Sequence, residues 1–240
     1  MAKIVFPLPD RDFDVTEVAV PWKLLTEAGH EIVFATERAG TQPACDPLLL
    51  SGVLFGQLGA APEPKAFYAE LCASPAFAAT RAFGDLTVAE FDAVVLAGGH
   101  APGMRPYLEN EALFAFVRDF SGSGKVLGAI CHGVLVAARA GALAGKKTTC
   151  LPKYMERSAY FLTAWKLGRY YRTYPAYVED EVKAALTRPE DFVRGPRTLA
   201  SRGTRNDASA AFVVEDGAYV SARWPGDAYL FAQKIAARLV

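Results

Sequence analysis

Residues Lys125-Val-Leu-Gly-Ala-Ile-Cys-His-Gly133 form an apolar run that ends at a cysteine. Small residues, Ala129 and Gly133, stand two positions either side of Cys131, His132 follows it, and an Ala-rich helical pattern runs to Leu143. Strand, tight turn and helix in that order describe a nucleophile elbow, in which the turn residue is pushed above the strand ends on a strained backbone. The partial positive charge of a helix N-terminus beside sulfur favours thiolate over thiol, so the spacing predicts a Cys131 pKa below the ordinary value of about 8.5. A small buried core thiol is the inert alternative.

Two further groups have types suited to such a thiol. Gly98, Gly99 and His100 close a second apolar run, Phe91–Ala97. Paired glycines let backbone N–H groups approach a ligand, as an oxyanion site requires; a plain strand-ending turn is the alternative. Asp14-Val-Thr-Glu17 has the spacing of a capping box, with Asp14 as N-cap and Glu17 bonding back to it. Held protonated near a thiolate, Glu17 would instead donate to sulfur and shuttle a proton. His132 is a candidate base or an orienting group, since neighbours on a turn usually point apart.

The elements that must position these groups are short apolar runs alternating with helical stripes, the pattern of a parallel sheet covered by helices. The pattern predicts strands at Lys3–Leu8, Glu31–Thr36, Phe91–Ala97, Lys125–Ile130 and Lys147–Cys150. Helices are expected from about Val15 to Ala28, around Leu113–Phe120, over Gly133–Leu143 and at the C-terminal end, where Ala228, Phe231, Ala232, Ile235 and Leu239 share a face. Ala211–Glu215 and Ala218–Arg223 read as a hairpin turned by Asp216-Gly217. Residues 40–84, broken by Pro and Gly, read as an inserted cap beside the sheet. The expectation is one domain over 1–240, an α/β/α sandwich on a parallel, flavodoxin-like sheet with helices on both faces. Ligands bind beyond the carboxyl ends of such strands, where Cys131 falls.

Composition narrows the function classes. Among 240 residues, Lys+Arg and Asp+Glu both number 26, so the formal charge is zero, and neither a nucleic-acid nor an anionic-membrane partner is expected. No apolar run approaches a membrane span, and the N-terminal Ile4-Val-Phe6 run is too short for a signal peptide. Cys45, Cys72, Cys131 and Cys150 lie far apart without a C-x-x-C pair, which argues against disulfides and against a metal site. A cytoplasmic protein with reduced thiols is expected. Gly122-Ser-Gly-Lys125 lacks the spacing and context of a P-loop. The arginines between Arg194 and Arg205 read as a solvated loop, with anion binding as the alternative. The aromatic stretch Tyr154–Tyr177 reads as an amphipathic segment packed on the sheet, or as a pocket wall or dimer seam.

Taken together, Ala129-Ile-Cys-His-Gly133, Leu96-Ala-Gly-Gly-His-Ala-Pro-Gly103 and the Asp12–Glu17 segment with its following helix resemble the ThiJ/PfpI superfamily. Its fold is like that of the class I glutamine amidotransferases. The resemblance runs in order from Lys3 to the last helix, apart from the insertion, and looks nearer the chaperone/glyoxalase branch than the minimal peptidase branch. It implies Cys131 as nucleophile, Glu17 as its acidic partner and His132 as a candidate base completed by an acid that some relatives take from another subunit. Gly98, Gly99 and His100 then match the glycine turn. A homodimer and a small-molecule substrate are implied, with no cofactor and no metal. No histidine follows His132, so a glutaminase triad cannot be built, and no third triad acid matches after Cys131. Cys150, before Pro152 in place of the His or Ala of some relatives, is a candidate resolving thiol or a buried one.

The expected function is a cofactor-free, cysteine-dependent enzyme acting on a small carbonyl or amide compound, of glyoxalase, deglycase or amidase type. The alternative is a redox sensor or holdase chaperone in which Cys131 is oxidised without turnover.

Overall fold

The chain is seen in a computed structural model that describes residues 1–198 and 201–239. Strand β1 (Lys3–Pro7) leads through a short β2 (Arg11–Phe13) into α1 (Val15–Glu27), and β3 (Glu31–Thr36) follows. The next segment holds β4 (Ala44–Cys45), α2 (Pro47–Ser51), α3 (Pro62–Ala73), α4 (Pro75–Ala78) and β5 (Arg81–Ala82). Then come β6 (Ala93–Leu96), α5 (Arg105–Leu108), α6 (Glu111–Ser121), β7 (Val126–Ile130) and α7 (Gly133–Arg139). The last third contains α8 (Lys153–Leu167), α9 (Val178–Ala184), the hairpin β8 (Val213–Asp216) and β9 (Tyr219–Ala222), and α10 (Ala228–Ala236).

Seven strands form one sheet in the order β5-β3-β1-β6-β7-β9-β8. Every pairing is parallel except the edge hairpin, β8 against β9. Strands β1, β6 and β7 lie at its centre, and β6 and β7 are buried along their whole length, as a sheet covered on both faces requires. Helices α1, α3 and α10 pack together on one face, and α5, α6, α7 and α9 on the other. This is the flavodoxin-like α/β architecture. No helix of the described residues is long and apolar enough to cross a membrane.

The segment 40–84 divides in two. Helix α3 packs along α1, and β5 extends the main sheet beside β3, so residues 62–82 act as a crossover connection. Strand β4 pairs with β2 in a separate two-stranded ribbon, and the loop from α2 to residue 60 overhangs the carboxyl ends of the strands. Expected strand Lys147–Cys150 reduces to one bridge, Thr148 with Phe192. Helix α8 departs from the packed face expected of the aromatic stretch and instead matches the pocket-wall alternative, Met155, Leu162 and Thr163 lining a cavity. Only Glu156 and Thr163 are buried along it, while Phe161, Leu162 and Trp165 are exposed, Trp165 stacking on Phe55 at 6.0 Å.

Candidate active site

The register Leu96↔Ala129 sets the ends of β6 and β7 side by side, so the Gly98 turn and the Cys131 turn must touch. Gly133 opens α7 against the β6 terminus so tightly that a Cβ would lie 2.2 Å from the Leu96 carbonyl oxygen. Only glycine permits that approach. Cys131 itself has φ +57°, a left-handed conformation costly for a residue with a Cβ. Its N–H donates to the Ala222 carbonyl at 3.1 Å, which ties the turn to β9.

Glu17 reaches this turn from the first turn of α1. Asp14 caps that helix, its Oδ1 accepting from the N–H groups of Thr16 (2.8 Å) and Glu17 (3.2 Å). The reciprocal half of a capping box does not form. The Asp14 N–H donates to the Gly98 carbonyl, and Glu17 Oε2 accepts from the Gly98 N–H at 2.8 Å. Oε1 of Glu17 is buried without a protein partner in hydrogen-bond geometry. Burial, and secondarily the Asp14 charge, pushes the Glu17 carboxyl well above its ordinary range, which favours its protonated form. Gly98 is pinned as well: a Cβ there would lie 2.6 Å from the His132 nitrogen and 2.8 Å from Glu17 Oε2.

The sulfur differs from the sequence expectation in one respect. Cys131 is fully buried, and burial followed by the Glu17 and Asp14 carboxyls pushes its thiol well above the usual value. The His132 backbone N–H, at the start of a helix of only seven residues, favours thiolate but does not outweigh those effects. The resting group is therefore a thiol. Around it, His132 Nδ1 lies 3.6 Å from Sγ. The other ring nitrogen, Nε2, is 3.5 Å from the Thr173 hydroxyl, which donates its own proton to the His100 carbonyl at 2.6 Å. Thr173 thus meets His132 as an acceptor, and Nε2 carries the ring proton while the Nδ1 lone pair faces sulfur. The imidazoles of His100 and His132 meet edge to face at 4.6 Å. Burial lowers His100 to about 4 and His132 well below its usual value, so both rings are neutral at pH 7.

A cavity of about 280 Å³ lies alongside. Leu49 of α2 and Val53 and Leu58 of the overhanging loop, with Leu151, Met155 and Leu162, supply apolar wall; Asp14, Tyr171, Arg202 and Trp224 supply polar and aromatic wall. The sulfur does not line it. His100 is the residue common to the cavity wall and the thiol cluster.

Sequence reasoning offered the Tyr154–Tyr177 stretch as a pocket wall and the arginines between Arg194 and Arg205 as an anion site only as alternatives, without naming Thr173, Tyr171 or Arg202, and it missed Trp224. The position behind His132, where a triad acid would stand, holds the Thr173 hydroxyl. Tyr171 donates to buried Asp46 at 2.7 Å, and Arg202 sits over the Trp224 ring at 5.0 Å. Of the neighbouring arginines, Arg205 pairs with Glu27 and Arg194 with Glu179. Cys150 is buried, its thiol 3.6 Å from the Leu151 carbonyl, and is not part of the Cys131 cluster.

Comparison with known proteins identifies the family and the fold. A family model described as ThiJ/PfpI family-like matches residues 8–196. An uncharacterised protein of Schizosaccharomyces pombe is 29% identical over 97% of this chain and 82% of its own length. Protein/nucleic acid deglycase 2 of Escherichia coli is 30% identical over 63% of this chain and 72% of its own. Among solved structures, glyoxalase III of Candida albicans superposes with a TM-score of 0.67 at 20% identity, covering 99% of this chain and 97% of that one, a likeness of fold. The cysteine elbow, the glycine turn and the buried acid all fall inside the matched span, and the chain belongs to the ThiJ/PfpI family.

Proposed function

We propose that this chain is a cysteine-dependent enzyme of the deglycase/glyoxalase type, attacking a small carbonyl compound through Cys131. The observation that carries the reading is the set of groups converging on one strained sulfur: a lone pair of His132 at 3.6 Å and the protonated, half-free carboxyl of Glu17. The names of the deglycase relatives support the same class.

In this mechanism the Cys131 thiol loses its proton to His132 Nδ1 as sulfur attacks the aldehyde carbon of a 2-oxoaldehyde. The carbonyl oxygen, held by the N–H groups of Gly99 and His132, takes a proton from Glu17 or from the imidazolium, giving a neutral hemithioacetal. Gly98 cannot serve as an oxyanion donor in the resting geometry because Glu17 occupies its N–H. Its part is to orient the acid. Transfer of the C1 proton to C2 converts the hemithioacetal to a thioester, and water releases the 2-hydroxy acid and the thiol. Carbonyl addition is favoured over amide cleavage because an amine leaving group needs a well-stabilised imidazolium, and Thr173 rather than a carboxylate stands behind His132. A redox sensor needs an accessible thiolate; the burial and raised proton affinity of Cys131 count against that reading.

The test is consumption of methylglyoxal, peptidyl amides and isocyanides by wild type and Cys131→Ala, with chelator present throughout. Loss of methylglyoxal turnover by at least ~10³-fold in the variant is expected. Equal rates in the two proteins, or no turnover of any carbonyl substrate, defeat the reading.

A further inference from the structure

Outside the proton-transfer scheme, the cluster around Cys131 has a property that catalysis on carbonyls does not use. One ligand atom from each of His100, Cys131 and His132 lies within 4.8 Å of the others. The three come from two adjoining turns, so the β6–β7 register that juxtaposes them is fixed by the sheet. Two observations give the set the character of a site. His132 Nδ1 is aimed at Sγ from 3.6 Å, with its proton held on the opposite nitrogen by Thr173. His100 Nε2 is completely enclosed yet has no hydrogen-bond partner among the described residues. A buried ring nitrogen left unpaired is costly unless something else completes it.

We propose that His100, Cys131 and His132 bind a zinc-type transition-metal ion, using one thiolate and two neutral imidazoles with a fourth position open towards the cavity. The donor set suits a borderline-soft ion and not magnesium or calcium, which take oxygen ligands. Zn–S near 2.3 Å and Zn–N near 2.0–2.1 Å put the edges of a tetrahedral site at about 3.3–3.6 Å. The Sγ–Nδ1 separation already matches; the His100 ring, mostly buried but on the cavity wall, would close the remaining gap by a side-chain rotation. Thr173 bonds to both histidine segments and holds them as an outer-sphere support. Binding replaces the S–H bond by a metal–sulfur bond and releases one proton to solvent; the imidazoles contribute lone pairs and lose none. The cavity beside His100 is the entry path. Occupation would remove the Cys131 lone pair from reaction, so such an ion acts as a reversible block on the nucleophile. The binding itself does not depend on the proposed turnover.

The experiment uses cobalt(II) as probe in a Cys72→Ala background, because Cys72 is an exposed free thiol. Titration of the metal-free protein should give one equivalent of a thiolate-to-cobalt charge-transfer band and visible bands of four-coordinate intensity, displaced by zinc. Cys131→Ala and Cys131→Ser, each shown folded by circular dichroism, should lose the charge-transfer band. His100→Ala and His100→Asn should weaken cobalt binding by about tenfold or more. Absence of the band, its survival in both Cys131 variants, or wild-type affinity in both His100 variants overturns the site. Methylglyoxal turnover in the same samples separates the two readings. Turnover here is that of the metal-free protein before cobalt is added: an intact band on later titration with no prior turnover upholds the metal site and removes the enzyme, and prior turnover with no band does the reverse.

Discussion

Glu17 Oε2 accepts the Gly98 N–H at 2.8 Å across 81 positions of sequence, and that bond takes the carboxyl away from the helix cap it would otherwise close. Replacing Glu17 by Gln keeps an acceptor for Gly98 and removes the transferable proton. We expect Glu17→Gln to fold normally and to lower kcat/KM by about 10²–10⁴. Glu17→Ala strips the buried Gly98 N–H of its partner and should also cost ~1–3 kcal/mol of stability. Steady-state kinetics and denaturant melts read both effects. A Gln variant as active as wild type removes Glu17 from the mechanism.

Strain at Cys131 is separable from its chemistry. Alanine and glycine both delete the sulfur, but only glycine occupies φ +57° without a Cβ clash. Cys131→Gly should therefore be more stable than Cys131→Ala by about 1 kcal/mol. Urea midpoints for the pair decide it; alanine at or above glycine means the turn has relaxed.

Stability should fall as pH rises through mildly acidic values. Burial lifts Asp14 from 3.8 to about 6, with the Arg202 charge and the two capping N–H groups opposing. Between those values the folded chain retains a proton that the unfolded chain has released. Raising pH across the window then favours unfolding. Glu17, raised further, extends the same trend upward. Asn at position 14 still accepts from the helix and cannot ionise, so the fall from about pH 4 to pH 6 should be shallower in Asp14→Asn. Parallel pH profiles of the denaturation midpoint would refute this.

Arg223 and Asp227 are both fully buried and joined by two bonds, Nε–Oδ2 at 2.8 Å and Nη2–Oδ1 at 2.9 Å. Asp227 also accepts from the Phe212 N–H, and Arg223 donates to the Pro196 carbonyl. Removing one partner leaves a charge in the core. Asp227→Ala should cost about 3–5 kcal/mol, with Arg223→Met/Asp227→Leu recovering much of it. A single variant within ~1 kcal/mol of wild type in calorimetry contradicts that role.

The central strands and the elbow were legible because their information is local. Ala93–Ala97 and Val126–Ile130 are continuous apolar runs, and Ala129, Gly133 and the Ala-rich helix lie within a few residues of Cys131. What the sequence hid depends on distant partners. The β4 and β5 strands are two residues each and carry no period, so their pairing with β2 and β3 is invisible before folding. The spacing of Asp14 and Glu17 signals a closed box; only Gly98 decides otherwise. The lowered thiol pKa expected from a helix start was reversed by complete burial, which local spacing does not report. The exposed face of α8 likewise reads as core by composition alone, since Phe161, Leu162 and Trp165 are the residues that cores use.

Helix α2 and the overhanging loop that follows it to residue 60 contribute Leu49, Val53 and Leu58 to the cavity while standing outside the seven-strand ladder. The size of the cavity and the conformation of the Cys131 turn are thereby set by separate segments of chain. In the proposed enzyme, drift in that loop would resize the guest that fits without disturbing the backbone that aims the sulfur.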